Sequence, residues 1–176
     1  VVHCPRSNLK LGSGVCPVQR LLERGINVAL GTDGAASNNR LNMLGELQLA
    51  SLIGKTEQGD SKAIDAWTAL EMATINGARA LGQDDMLGTI EVGKAADLIA
   101  LDVSGVHHMP RHNLASSLVY SSDGNEVTWS WVAGQAVVRD RQLQTLDPSE
   151  LTNRATHWAE KLAAYKQTVE HYSHAD

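Results

Sequence analysis

Residues 26 to 39 read Ile26-Asn27-Val28-Ala29-Leu30-Gly31-Thr32-Asp33-Gly34-Ala35-Ala36-Ser37-Asn38-Asn39, and this stretch decides the fold. The run from Ile26 to Leu30, apolar except at Asn27 and preceded by Gly25, has the pattern of a buried parallel strand. Asp33 stands just beyond it, in a loop too rich in Gly, Ser and Asn to be packed core. In barrels and open α/β sheets the chemical groups project from the carboxyl ends of such strands, so Asp33 is the leading candidate for a functional residue.

Working outward, Val1, Val2 and His3 read as the end of a neighbouring strand, and Pro5-Arg6-Ser7-Asn8 as a loop. The turn Gly12-Ser13-Gly14 then opens a helix through Val15, Val18, Leu21 and Leu22 to Gly25. A second amphipathic helix runs from Leu41 to Ile53 and ends at Gly54. Asp65 caps a third, through Trp67, Leu70 and Ala73, which Asn76-Gly77 interrupts before a turn from Ala78 to Leu81. After Gly82 the period changes from helical to alternating. Thr89 to Val92 against Ala96 to Leu101 forms one predicted hairpin. Val127 to Val132 against Ala136 to Arg139 forms another, turning at Gly134-Gln135, with Trp129 and Trp131 packed on one face. Asp147-Pro148-Ser149-Glu150 has the form of a capping box and launches a final helix. Its stripe Leu151, Ala155, Trp158, Leu162, Tyr165 and Val169 is a docking surface for the rest of the fold or a second subunit.

These elements describe an α/β chain: the end of a parallel barrel, an appended β module and a C-terminal helix. The boundaries fall at residues 1–84, 85–146 and 147–176. The sequence lacks an initiating Met and starts inside an apolar run, which predicts a natural beginning further upstream. Two barrel strands without neighbours expose apolar edges, so the isolated monomer is expected to be molten or insoluble.

Composition narrows the function. The 176 residues carry a formal charge of −5, with Lys and Arg scattered, which argues against nucleic acid as the main ligand. No apolar run approaches a membrane span. Cys4 and Cys16 have no CxxC spacing, so neither a disulfide framework nor a cysteine zinc site is indicated, and a reducing cytoplasm is the default compartment. Phe is absent and Trp and Tyr number four and three, leaving an aliphatic core.

Three motifs make the reading specific. His3-Cys4-Pro5-Arg6-Ser7-Asn8-Leu9-Lys10-Leu11-Gly12-Ser13-Gly14 and Gly31-Thr32-Asp33-Gly34-Ala35-Ala36-Ser37-Asn38-Asn39, with Leu41-Asn42-Met43 after it, closely resemble the amidohydrolase superfamily. Within it they look most like the methylthioadenosine/S-adenosylhomocysteine deaminases and their chlorohydrolase-like relatives. The segments from Asn76 to Gly82 and from Gly88 to Leu98 are similar to the region where that family leaves its barrel for a composite β-sandwich.

The resemblance implies the last two strands of a distorted (β/α)8 barrel, the C-terminal share of the sandwich, and an active site completed elsewhere. The family's His-x-His pair, its further histidines and its acid/base Glu all precede the seventh strand, so this chain is not expected to catalyse alone. It implies one divalent metal, Zn²⁺ first, with Fe²⁺, Mn²⁺ or Ni²⁺ as alternatives. Asp33 would be both metal ligand and catalytic partner in proton transfer while water adds to C6 of an adenine ring and ammonia leaves. The partners implied are a purine nucleoside, the missing N-terminal portion and a second copy of the chain. Two alternatives stand beside it: hydrolysis of another C–N or C–Cl bond on a heteroaromatic ring of the guanine, cytosine or s-triazine type, and a non-catalytic association module.

Among the lesser candidates, Asn8 either lines the substrate pocket or pins its own loop, and both readings stay open. Ser37 is a candidate for substrate binding, though capping the next helix is the stronger reading for it and for Asn38. His3 is read as a hydrogen-bonded core histidine rather than a ligand. His107, His108 and His112 are read as surface residues of a loop.

Overall fold

A computed structural model describes the backbone of residues 1–173 and the side chains of residues 1–166. Strand β1 (Val2–His3) pairs in parallel with β2 (Ala29–Leu30), Val2 opposite Ala29 and His3 opposite Leu30. Parallel partners need a crossover, and α1 (Pro5–Leu11) and α2 (Val18–Glu23) supply it. The loop predicted at Pro5 to Asn8 is instead the first turn of α1. Pro5 sits at a position where the missing N–H costs nothing, so the residues that resemble a turn begin a helix. The helix predicted from Gly12 shrinks to α2, because Gly12 and Gly14 adopt positive φ of 65° and 89°. Strand β2 is shorter than the apolar run that announces it, although Val28 is fully buried.

Helix α3 (Met43–Gln58) starts where the Asn42 side chain accepts hydrogen bonds from the N–H groups of Leu44 and Gly45, at 3.0 and 3.3 Å. It runs straight through Gly54, which was predicted to end it. A Cβ at Gly54 would lie 2.4 Å from Cγ1 of Ile64, so the glycine serves close packing, and the helix ends at Gly59. Asp65 caps α4 (Ala66–Ala73) as predicted, accepting from the Thr68 N–H at 2.8 Å. Asn76 and Gly77 lie inside α5 (Ile75–Leu81), and the break falls at Thr74. Asn76 is buried because it braces β2: its amide donates to the Val28 carbonyl at 3.1 Å, and Asn27 donates to its own carbonyl at 3.0 Å.

The core joins Val28 and Leu30 to Leu44, Leu47, Ala69 and Met72, and extends to Ala115 and Val119 of α6 (Leu114–Ser121). A separate antiparallel sheet runs in the order β3 (Leu98–Leu101), β4 (Val127–Val132), β5 (Gln135–Arg139), β6 (Gln142–Leu143). The first predicted hairpin does not form: Thr89 to Val92 is loop, with Ile90 and Val92 exposed, and β3 pairs with β4 instead. The second hairpin forms, but turns one residue earlier than predicted, at Ala133-Gly134 with φ of 49° and 77°. Asp140-Arg141 makes a further tight turn into β6, which the sequence did not announce. Trp129 and Trp131 share a face as predicted, with ring centroids 5.4 Å apart.

Helix α7 (Pro148–Ser173) begins with the Ser149 N–H donating to Asp147 at 2.7 Å. Its stripe docks on nothing among the described residues: Leu151, Trp158, Leu162 and Tyr165 are all exposed, and the Val169 side chain lies outside those described. Among the described residues no helix is long and apolar enough to cross a membrane.

Candidate active site

Asp33 lies three residues beyond β2 at φ 59°, a left-handed conformation that Asp tolerates better than most residues. Its exposed carboxylate is held by three donors. The Ser7 and Ser37 hydroxyls each donate to Oδ2 at 2.8 Å, and the Gly34 N–H donates to Oδ1 at 2.7 Å. The Ser7 hydroxyl first, then the Gly34 N–H and the Ser37 hydroxyl, hold its pKa below the usual carboxylate range. Ser7 is buried in α1, and Lys10 of the same helix binds the Ala36 carbonyl at 3.0 Å and the Asn39 side chain at 2.7 Å. One helix thus grips both ends of the loop that carries Asp33.

Under this loop lies Glu46 of α3, a fully buried carboxylate. It accepts from the backbone N–H of Arg6 at 3.1 Å, from Arg6 Nε at 3.3 Å and from the Asn38 amide at 2.8 Å. The buried anion therefore faces both a helix N-terminus and a guanidinium, the two groups best able to replace its lost hydration. Asn38 also donates to the Thr32 carbonyl at 2.8 Å and accepts from the Arg40 N–H at 3.2 Å.

Neither Ser37 nor Asn38 caps the next helix, since Asn42 does. Ser37 is committed to Asp33, with a further contact to the Gly34 carbonyl at 3.2 Å. Asn8 stands beside Ser7 on α1, and among the described residues its side-chain amide makes no hydrogen bond, so it does not pin the loop. His3 is core, but not hydrogen-bonded as predicted: its Nδ1 is buried without a partner, and burial pushes its pKa down against a weaker pull from Glu46. The surface reading of the histidine loop fails at His108, which is buried.

A carboxylate offers about four lone-pair positions. Three are used at Asp33, and the free one, on Oδ1, belongs to an anionic oxygen open to solvent. That fits one ligand of a divalent cation. Among the described residues Asp33 belongs to no group of three potential ligands, so the chain offers one contact to such a metal here. Ser7, Arg6 and Glu46 escaped sequence reading. The available signal was Glu46 itself, a charge between Leu44 and Leu47 on the apolar face of α3.

Residues 1–137 match the model of the amidohydrolase family. The chain belongs to that family. This amidohydrolase is 55% identical over 164 residues to the 5-methylthioadenosine/S-adenosylhomocysteine deaminase of Teredinibacter turnerae, and 49% identical over 166 residues to that of Saccharophagus degradans. These alignments take in 93% and 94% of the chain, which spans 37% of the length of each relative. Among solved structures it is similar to an adenosine deaminase from Xanthomonas campestris with bound zinc, with a TM-score of 0.91 and 44% identity over 93% of this chain and 37% of that one. It is also similar to an atrazine chlorohydrolase from Arthrobacter aurescens complexed with zinc, with a TM-score of 0.82 and 32% identity over 89% and 35% of the two chains. The mixed α/β architecture is that of amidohydrolase-fold proteins.

Proposed function

We propose that this amidohydrolase chain is the C-terminal portion of a metal-dependent deaminase that converts adenine nucleosides, 5-methylthioadenosine and S-adenosylhomocysteine, to inosine analogues and ammonia. The observation that carries the reading is Asp33: an exposed, ionised carboxylate beyond a parallel strand, oriented by three donors and keeping one lone pair free. The names of the relatives, at 55% and 49% identity, support the substrate class.

In this reading β1 and β2 are the last two strands of a (β/α)8 barrel, and β3 to β6 are the C-terminal share of a composite sandwich. Residues 1–84, 85–146 and 147–176 are barrel, sandwich and terminal helix. The apolar, exposed Val1 and Val2 beside a two-stranded sheet support a missing N-terminal neighbour. The exposed stripe on α7 supports a homo-oligomer. Two unpaired cysteines, Cys4 and Cys16, support a reducing, cytoplasmic setting.

When bound, a divalent cation such as Zn²⁺ supplies Lewis acidity that makes water nucleophilic near neutral pH. Asp33 is the residue of this chain that would help to hold it, and its carboxylate would be placed to accept a proton from water. Ser7 and Ser37 keep that carboxylate in one orientation, so no reorganisation is needed as charge moves. Asn8, with an unengaged amide beside Ser7, is assigned to substrate, and Ser37, whose one proton goes to Asp33, could meet substrate only as an acceptor. The test is ammonia release from both nucleosides by the metal-replete full-length protein, with Asp33→Asn abolishing it. Inertness toward every aminopurine overturns the reading.

The likeness to atrazine chlorohydrolase favours one other reading, cleavage of a C–N or C–Cl bond on another heteroaromatic ring. Chloride release from an s-triazine, or ammonia from guanine or cytosine, without turnover of adenine nucleosides would establish it.

A further inference from the structure

Away from Asp33, a single turn of 3-10 helix (Val106–His108) brings two adjacent histidines against the residue before β4. His107 Nε2 lies 3.1 Å and His108 Nε2 3.6 Å from Oε1 of Glu126, and all three atoms lie within 4.8 Å of one another. The other oxygen of Glu126 is occupied by the N–H groups of Asp123 and Gly124, at 3.2 and 3.0 Å, which leaves Oε1 for the imidazoles. His107 is satisfied by that contact. His108 is not: its side chain is fully buried, and Nε2 has no hydrogen-bond partner.

We propose that His107, His108 and Glu126 form a structural site for a divalent transition metal of the Zn²⁺ class, which clamps the 3-10 turn to α6 and to the start of β4. Two imidazoles and a carboxylate are the donor set such ions prefer. A tetrahedral Zn²⁺ with bonds of about 2.0 to 2.1 Å spaces its ligands by about 3.3 Å, close to the two separations from Glu126. Ser117 completes the argument from the far side of the ring. Its hydroxyl lies 2.6 Å from Nδ1 of His108, where a ligating histidine needs an acceptor for its second N–H. In that tautomer Nε2 presents a lone pair to the Glu126 carboxylate, an arrangement that repels without a cation and binds with one. The cluster borders a hollow of about 360 Å³ lined by Met109, His112 and Tyr120, which gives an ion and a water access from solvent.

The experiment loads the full-length protein with Zn²⁺, removes loose metal by gel filtration in metal-free buffer, and counts the retained equivalents. His107→Ala and Glu126→Gln are each expected to hold one equivalent fewer than the unmodified protein, and His107→Ala to lose the zinc-dependent part of its thermal stability. Loading with Co²⁺ is expected to give a visible tetrahedral band component absent from His107→Ala. Because the His107 ring is exposed, that variant folds even where Glu126→Gln does not, and it decides the matter. Equal zinc content in the unmodified protein and His107→Ala overturns the site.

Discussion

The Ser7 hydroxyl meets Asp33 Oδ2 across 2.8 Å, tying the third residue of α1 to the loop after β2. It is the largest of the influences that keep the Asp33 carboxyl ionised. Ser7→Ala removes it while leaving the Gly34 and Ser37 donors in place. The pKa of Asp33 then rises toward the ordinary carboxylate value, so protonation begins at higher pH and metal is released at higher pH. In the full-length protein the acid limb of metal retention is expected to move upward, with affinity at neutral pH falling by about 10-fold, the usual effect of losing a hydrogen-bond partner behind a ligand. Zinc titration against pH checks it, and superimposable curves refute it.

Glu46 links the same two elements from below, and its loss is expected to be felt as stability. Glu46→Ala leaves the Asn38 amide without its buried acceptor and Arg6 without its carboxylate. Breaking a buried pair in this way costs about 3 kcal/mol or more; the partial exposure of Arg6 places the effect at the low end. Chemical denaturation of the full-length protein measures it, and a change under about 0.5 kcal/mol would show that water replaces the carboxylate.

The place of Asp33 in the fold and the cap at Asp65 were legible because each obeys a local rule: a carboxylate after an apolar strand, and a capping residue before an apolar period. Ser7 was not, since Pro, Ser and Asn serve equally as turn formers and as the first turn of a helix, and only the position of Glu46 under the Arg6 N–H decides between them. Ile90 and Val92 alternate as a strand does, yet alternation does not name a partner, and β3 found β4 more than 25 residues later. Gly54 was misread for a related reason. A glycine in a helical period signals an end or a close contact, and Ile64, which chooses between them, comes from the next loop.

Gly54 therefore carries a prediction of opposite sign to helix propensity. Propensity alone favours Gly54→Ala by about 1 kcal/mol. The new Cβ meets Cγ1 of Ile64 at 2.4 Å and its Cβ at 3.2 Å, and overpacking of this kind costs about 1 to 3 kcal/mol. Net destabilisation is expected. Ile64→Ala removes the clashing carbon, so the double variant is expected to be more stable than the sum of the two single changes. A coupling near zero would mean that α3 shifts to absorb the methyl.

Asp65 gives the pH dependence with the clearest sign. Its side chain accepts from the Thr68 N–H at 2.8 Å, and that bond, followed by the Thr68 hydroxyl, lowers its pKa. A carboxyl with a depressed folded pKa stabilises the fold above its unfolded value and loses that contribution as pH falls through the folded value. Asp65→Ala is expected to cost about 1 kcal/mol at neutral pH, the usual effect of removing a helix cap. The gap to the unmodified protein should stay constant above the ordinary carboxylate range and narrow below about pH 4 by the share that the charge contributes. Asp65→Asn keeps an acceptor without the charge, so it is expected to retain most of the stability and to lose the pH dependence. Thermal unfolding of the three proteins across the acid range measures both effects, and a gap that widens as pH falls would contradict the assignment.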